Sequence, residues 1–77
     1  MDVKKCVVKV IWREETASWH AESDDIPGLA PGADTFDELV ERIRKIAPAL
    51  LKQNCDYTGP AELLYAVARI DCILVPP

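Results

Sequence analysis

The 77-residue chain lacks several features that would place it in a membrane, a secretory pathway or a standard metal-binding class. No apolar run approaches the roughly 20 residues needed to cross a bilayer. The opening MDVKKCVVKVIW is not a signal peptide, because Lys9 interrupts an apolar run that is already too short. The three cysteines, Cys6, Cys55 and Cys72, contain no C-x-x-C pair, which excludes a disulfide framework and a zinc site of the usual spacing. These absences predict a soluble protein of a reducing cytoplasm.

Basic residues are scarce as well. Nine Lys and Arg stand against thirteen Asp and Glu, so the net charge is −4. Nucleic-acid binding relies on clustered basic residues that neutralise phosphates, so we expect no direct nucleic-acid binding. An acidic surface suits a basic protein partner instead. The length predicts one domain, residues 1–77, whose thin core a partner or a second copy would stabilise.

Alternating apolar residues open the chain. Residues 3–13 are predicted to form a strand, because their even positions from Cys6 onward are apolar. A polar turn, REETAS, leads to a second strand, SWHAES. With Glu15 and Thr16 at the tip, Trp12 lies opposite Trp19 on one face. Such an aromatic pair stabilises a sheet by roughly 0.5–1 kcal/mol and helps to fix its register.

A helix is predicted from Thr35. In the sequence T-F-D-E the Thr35 hydroxyl can accept from the amide of Glu38, and the Glu38 side chain can reach back, which is a capping box. Pro48 predicts a kink rather than an end, because the apolar pattern continues beyond it; the helix should end by Asn54. Seven apolar residues follow helical spacing: Phe36, Leu39, Val40, Ile43, Ala47, Leu50 and Leu51.

Residues 61–75 are predicted to form a long last strand that is apolar on both sides. We expect its even positions to face the core: Leu64, Ala66, Ala68, Ile70, Cys72 and Leu74. Strands that are apolar on both faces are usually covered on both, but one helix covers only one face. The order of elements predicts an α+β two-layer domain with one helix on a small, mostly antiparallel sheet. A surface bearing Tyr65, Val67, Val7 and Ile11 is therefore predicted for self-association or partner binding.

The acids around residues 22–34 are the candidates for metal binding or acid–base chemistry. They are Glu22, Asp24, Asp25 and Asp34. A structural role is favoured, because Asp24 and Asp25 precede Ile26-Pro27-Gly28, where short acidic side chains bond local amides and Gly28 takes positive φ. The predicted turn and helix-entry residues are Asp24, Asp25, Pro27, Gly28, Asp34, Thr35 and Glu38. No catalytic residue, metal ligand or cofactor is predicted.

The remaining reactive side chains are interpreted as structural. His20 is expected to be solvated on the face opposite the tryptophans, and no serine or cysteine has a sequence signature that pairs it with this histidine. Cys6 and Cys72 fall on predicted core faces, while Cys55 follows the helix and could be exposed. None has a charged neighbour in the sequence pattern that would mark it as reactive.

The order VIW…E…SWHAESDDIPGLAPGADTFDELVERI…IAPALL, from residue 7 to residue 51, resembles the HicB-like domain. It is most similar to short bacterial HicB-like proteins with a W-x-A-x-S-D-D-I-P-G-L…A-D-T core. The resemblance implies a β-β-β-α-β fold, a partial ribonuclease H-like sheet, with a short third strand at residues 29–33. HicB proteins are antitoxins that bind and block HicA, a small basic RNA-cleaving toxin. Many also carry a C-terminal DNA-binding module, for which residues after the last strand leave no room, so we expect no operator binding.

Three hypotheses follow from the residues and the resemblance. The first is a non-catalytic antitoxin-type module that covers the toxin's RNA-binding or catalytic surface. The second is a homo-oligomeric HicB-like protein without a toxin partner. The third, a metal-dependent nuclease using Asp24 and Asp25, is disfavoured because the sequence supplies no full set of metal carboxylates.

Overall fold

The computed structural model describes residues 3–69 and 73–77. The elements in chain order are β1 (Lys4–Arg13), β2 (Ser18–Glu22), β3 (Gly32–Ala33), α1 (Phe36–Cys55) and β4 (Ala61–Ala68). The strand order in the sheet is β3-β2-β1-β4. β1 pairs antiparallel with β2 and β2 antiparallel with β3, whereas β4 runs parallel to β1. The predicted α+β fold, one helix on a mostly antiparallel sheet, is confirmed.

The β1–β2 hairpin has the register that its tryptophans predict. Trp12 lies opposite Trp19, and the two rings meet edge to face with centroids 5.1 Å apart. The turn closes through a hydrogen bond from the Ala17 amide to the Glu14 carbonyl. Trp19 continues the contact to Phe36 of α1, 5.8 Å away. The aromatic pair therefore joins the hairpin to the helix as well as fixing its register.

α1 begins as its cap predicts. Thr35 has extended backbone angles, and its hydroxyl accepts from the Glu38 amide at 3.1 Å. The Glu38 carboxylate, however, accepts from Arg42 one turn further on at 2.9 Å, so only half of the capping box forms. The helix passes through Pro48 and ends at Cys55, one residue later than predicted. Within residues 3–69 and 73–77 no helix combines the length and apolar character that crossing a membrane requires.

The helix packs its apolar stripe on the sheet. Its fully buried residues are Leu39, Ile43, Ala47 and Leu51, and they meet the even residues of β1, of which Val8 and Val10 are 0% exposed. α1 lies closest to β2 and β3, on one side of the sheet's midline. The third strand is shorter than the resemblance implied, two residues instead of five. The core is therefore thickest over β1 and β2 and thins toward β4.

β4 differs from the prediction in its length and in the side that faces the core. It ends at Ala68, and the predicted core positions Ile70 and Cys72 lie outside the described residues. Leu63 and Tyr65 lie opposite Cys6 and Val8 and pack against the core, so the odd positions face the helix. The prediction that the even positions face the core was wrong. Both sides of this strand are apolar, so its alternation alone could not distinguish them.

The same register divides the predicted surface of Tyr65, Val67, Val7 and Ile11 between two faces. Tyr65 and Val67 lie on the helix side, opposite Val8 and Val10 of β1. Val7 and Ile11 lie on the other side, where their β4 neighbours are Leu64 and Ala68. The prediction that these four residues share one face was wrong. We call the uncovered side of the sheet the open face; its apolar residues are Val7, Ile11, Leu64, Ala66 and Ala68.

Candidate interaction surface

The S-D-D stretch completes the sheet where β2 ends. The last β2 residue in register is Glu22, opposite Lys9. Beyond it, the Asp25 carboxylate accepts from the Val7 amide at 2.7 Å, and the Ser23 hydroxyl donates to the Val7 carbonyl at 2.6 Å. The Asp25 amide in turn donates to the Ser23 hydroxyl at 3.1 Å. Two side chains thus satisfy the backbone groups that a longer β2 would have paired.

The Pro27-Gly28 turn follows at once and is anchored to the helix end. Gly28 has φ +89°, as predicted, and the Leu29 amide donates to the Ile26 carbonyl at 3.2 Å. Ile26 is 0% exposed, and the Asn54 side chain donates to the Pro27 carbonyl at 2.8 Å. The turn therefore buries the Ile26 side chain in the core, next to the C-terminal end of α1.

The predicted acids do not gather into a site. The Asp24 side chain is 99% exposed and only 4.0 Å from the Lys9 ammonium, a surface pair of small energetic weight. Asp25 is engaged with the Val7 amide, and Asp34 is exposed before the helix. Among residues 3–69 and 73–77, no three His, Cys, Asp or Glu side chains are placed to hold a metal ion together. The geometry gives these carboxylates turn and surface roles.

His20 is half-buried, not solvated as predicted. Its ring lies against Gly32, where an added Cβ would be 3.1 Å from the ring. Its Nε2 is 2.9 Å from the Ser18 hydroxyl, which itself lies 2.6 Å from the Thr16 hydroxyl. A Ser–His pair does therefore arise, two residues apart on one strand. In the described part of the chain no carboxylate hydrogen-bonds the ring, so the third group that orients a catalytic histidine is missing.

Cys6 and Cys55, the two cysteines in the described part of the chain, behave as packing residues. Cys6 is 1% exposed, and burial raises the pKa of its thiol above the ordinary value of 9.0. The Lys4 charge opposes this shift, while Asp25 adds to it. Cys55 is half-buried against the core. A buried thiol with a raised pKa forms its thiolate less readily, which supports a packing role for Cys6.

The open face carries exposed apolar residues on β1 and on the edge strand β4. Val7 is 43% exposed and Leu64 is 66% exposed, on neighbouring strands. Charged residues of the same face, Lys5, Lys9 and Glu62, lie around them. Because α1 packs on the opposite side, Val7 and Leu64 remain exposed. The open face is an apolar patch with a charged rim, the composition of a protein interface.

A groove of about 500 Å³ runs between the C-terminal half of α1 and the start of β4. It forms because α1 lies toward β2 and β3 and leaves the helix side of β4 partly uncovered. Its lining combines apolar and basic residues, among them Ala47, Pro48, Leu51, Tyr57, Leu63, Arg44 and Lys52. The groove adds to the exposed apolar surface along β4.

Sequence reasoning missed two contacts that the fold creates. The Arg69 guanidinium lies over the Trp12 ring, 4.6 Å from its centroid, and 5.8 Å from that of Trp19. The pairing of Ser23 and Asp25 with Val7 was also missed, since it joins residues 16 and 18 positions apart. The only sequence signal for the latter was a pair of short polar side chains directly after a strand.

A family model matches residues 5–70, from β1 to just past β4, and describes a domain of unknown function, DUF1902. The chain belongs to the DUF1902 family. The crystal structure of a hypothetical protein from the extremely thermophilic bacterium Thermus thermophilus is similar to this DUF1902 chain, with 35% identity and a TM-score of 0.78. The match covers 91% of this chain and 100% of the other. No curated protein matches the chain significantly.

Proposed function

We propose that this DUF1902 protein is a non-catalytic, HicB-like interaction module of the cytoplasm that binds and neutralises a small basic RNA-cleaving toxin. The observation that carries the proposal is the open face. It exposes Val7 of the inner strand β1 at 43% and Leu64 of the edge strand β4 at 66%, on the side of the sheet opposite α1. Contiguous apolar surface of this kind on a small domain marks a protein-binding site.

The net charge of the protein supports a basic partner through long-range attraction, because the rim of the open face itself carries two lysines. The protein has a net charge of −4, and exposed acids precede and begin α1: Asp34, Asp37 and Glu41. Such a field attracts a basic partner and raises its rate of association. The antitoxin role itself comes from the resemblance of residues 7–51 to HicB-like domains, whose partner is basic.

The placement of Asp24 and Asp25 supports a non-catalytic module over a metal-dependent nuclease. Asp25, which the nuclease hypothesis needs, accepts a hydrogen bond from the Val7 amide and stabilises the sheet. Asp24 points into solvent. A two-carboxylate metal mechanism requires both carboxylates to converge on one ion. The Asp25 carboxylate is instead bonded to the sheet, and the Asp24 carboxylate extends into solvent.

Co-expression with a small basic toxin encoded beside this protein tests the proposal. We expect a complex that survives purification and restores growth. Val7→Lys, at the centre of the open face, should weaken the complex about tenfold or more, because it buries a charge at the apolar contact. Gln53→Lys adds the same charge on the exposed side of α1 and should leave binding unchanged. Absence of both a complex and growth rescue for the unaltered protein would count against the proposal.

The second candidate is a homo-oligomeric module without a toxin. The specific observation in its favour is that β4 exposes apolar surface on both sides: Leu64 on the open face is 66% exposed and Val67 on the helix side is 52% exposed. Another copy of the chain could cover this surface as well as a toxin could. Light scattering of the purified protein tests it, and a monomer would contradict it.

A further inference from the structure

The two edges of the sheet are built differently. The β3 edge is only two residues long, follows Pro31, and its Gly32 carbonyl accepts from the Arg42 guanidinium. Shortness, an adjacent proline and a covering side chain are the devices by which proteins prevent unwanted strand pairing. The β3 edge is therefore protected against further strands.

The β4 edge also follows a proline, Pro60, but it is four times as long as the β3 edge. Its eight residues, AELLYAVA, contain no proline, lysine or arginine, and Glu62 is the only charge. The Lys4 amide donates to the Pro60 carbonyl at 3.2 Å, so the backbone groups of Pro60 point toward β1. Along a strand, successive residues point their backbone groups alternately to one neighbouring strand and to the other. The even residues of β4 therefore pair with β1, and the backbone groups of Leu63, Tyr65 and Val67 point away from the sheet. Within the described residues no strand pairs with them.

We propose that β4 pairs antiparallel with β4 of a second copy of this chain, about a twofold axis perpendicular to the sheet. The pairing joins two four-stranded sheets into one of eight strands. It satisfies the outward backbone groups of both copies and covers part of Leu64 and Val67, which are exposed in the single chain. Both helices lie on the same side of the joined sheet, and both open faces lie on the other.

The sequence of β4 is suited to pairing with itself in this direction. In a register centred on Tyr65, Leu63 lies opposite Val67 and Leu64 opposite Ala66, so every central pair is apolar. The two Glu62 carboxylates are then about 20 Å apart along the strands, at roughly 3.4 Å per residue. In-register parallel pairing would instead set Glu62 beside Glu62, which is repulsive. Self-association therefore favours the antiparallel arrangement.

The same pairing also limits the assembly to two chains. Once the two β4 strands have joined, the only remaining sheet edges in the described part of each chain are the protected β3 edges. A twofold contact uses the same surface on both copies and leaves none of it free for a third. The structure thus assigns a closed dimer to this edge and no open filament.

Size-exclusion chromatography with light scattering tests the dimer. The unaltered protein should have twice the chain mass of 8.6 kDa. Val67→Pro removes an outward-facing amide donor, which an edge strand tolerates, and should give a folded monomer. Val67→Lys retains the donor and places like charges at the pairing edge, so it should also give a monomer. Circular dichroism checks that each variant keeps its fold.

Val7→Lys is the matched control, because it changes the open face and leaves the β4 edge intact. This variant should remain a dimer and bind the toxin less tightly. The experiment therefore distinguishes a failure of the dimer proposal from a failure of the proposed function. Amide hydrogen exchange should show protection of Leu63, Tyr65 and Val67 that falls on dilution. A monomeric unaltered protein overturns the inference. So does a pair of results in which Val7→Lys is monomeric and both Val67 variants are dimeric, since that assigns the contact to the open face.

Discussion

The Asp25 carboxylate accepts a 2.7 Å hydrogen bond from the backbone amide of Val7, 18 residues earlier in the chain. The Ser23 hydroxyl completes the pairing by donating to the Val7 carbonyl. Together they extend the β1–β2 ladder beyond its last backbone pair, Lys9 with Glu22. The S-D-D stretch has the acidic composition of a metal site, but its Ser23 and Asp25 side chains bond to the backbone of β1 and extend the sheet.

Replacing Asp25 by Ala should destabilise the fold by about 1–2 kcal/mol, because the Val7 amide loses a charged acceptor that is partly accessible to water. For a domain of this size that corresponds to a fall in Tm of about 4–8 °C for each kcal/mol. Asp24→Ala is the matched control: its side chain is 99% exposed, so Tm should be unchanged. Thermal melting followed by circular dichroism measures both, and equal shifts in the two variants would contradict the assignment.

Gly28→Ala should destabilise the protein by about 1–2 kcal/mol, because φ +89° is strained for any residue with a Cβ. The added Cβ would also lie 3.4 Å from Leu50 and 3.5 Å from Asn54, which is ordinary contact, so strain and not a clash sets the loss. Gly28→Asn should cost less, since Asn tolerates positive φ better than Ala. Urea unfolding measures the two, and an Asn variant less stable than the Ala variant would argue against backbone strain as the cause.

Ile43→Ala should lower the free energy of unfolding by about 2–5 kcal/mol, because the side chain is 0% exposed at the centre of the helix–sheet contact. Ile46, one turn along α1 and 37% exposed, provides the comparison. Ile46→Ala should cost less, about 1–2 kcal/mol, since more than a third of its surface is already in contact with water. Urea midpoints at unchanged m-values would report the difference. Similar losses in both variants would mean that α1 packs through a different stripe.

Stability should decline in alkaline solution because of Cys6. Burial raises the pKa of its thiol above 9.0, so the unfolded chain ionises first. The contribution of this group is complete below the unfolded pKa and is lost as the pH rises through the folded pKa. Cys6→Ala removes this dependence, although it also creates a small cavity that lowers stability at every pH. Urea unfolding below and above the ordinary thiol pKa should give a smaller alkaline loss for the variant. Equal alkaline losses would exclude Cys6 as a source.

Local sequence patterns predicted the elements whose determinants lie close together in the chain. The Trp12–Trp19 pair, the Thr35 cap and the positive φ of Gly28 each depend on residues within one hairpin, helix end or turn. The environment of His20 could not be predicted in this way. It is half-buried because the chain returns 12 residues later and lays Gly32, which has no side chain, under its ring.

The sequence by itself determined the core side of β1, because its two sides differ: Cys6, Val8 and Val10 are apolar, while Lys5 and Lys9 alternate with them. β4 offered no such contrast, since apolar residues occupy both of its sides. Only the tertiary structure decided that Leu63 and Tyr65 face the helix and Leu64 faces water. The physical reason is that parallel pairing with β1 fixes the register of β4, and a shift of one residue would have exchanged its two faces. The same pairing leaves β4 at the edge of the sheet, where its second apolar side stays exposed.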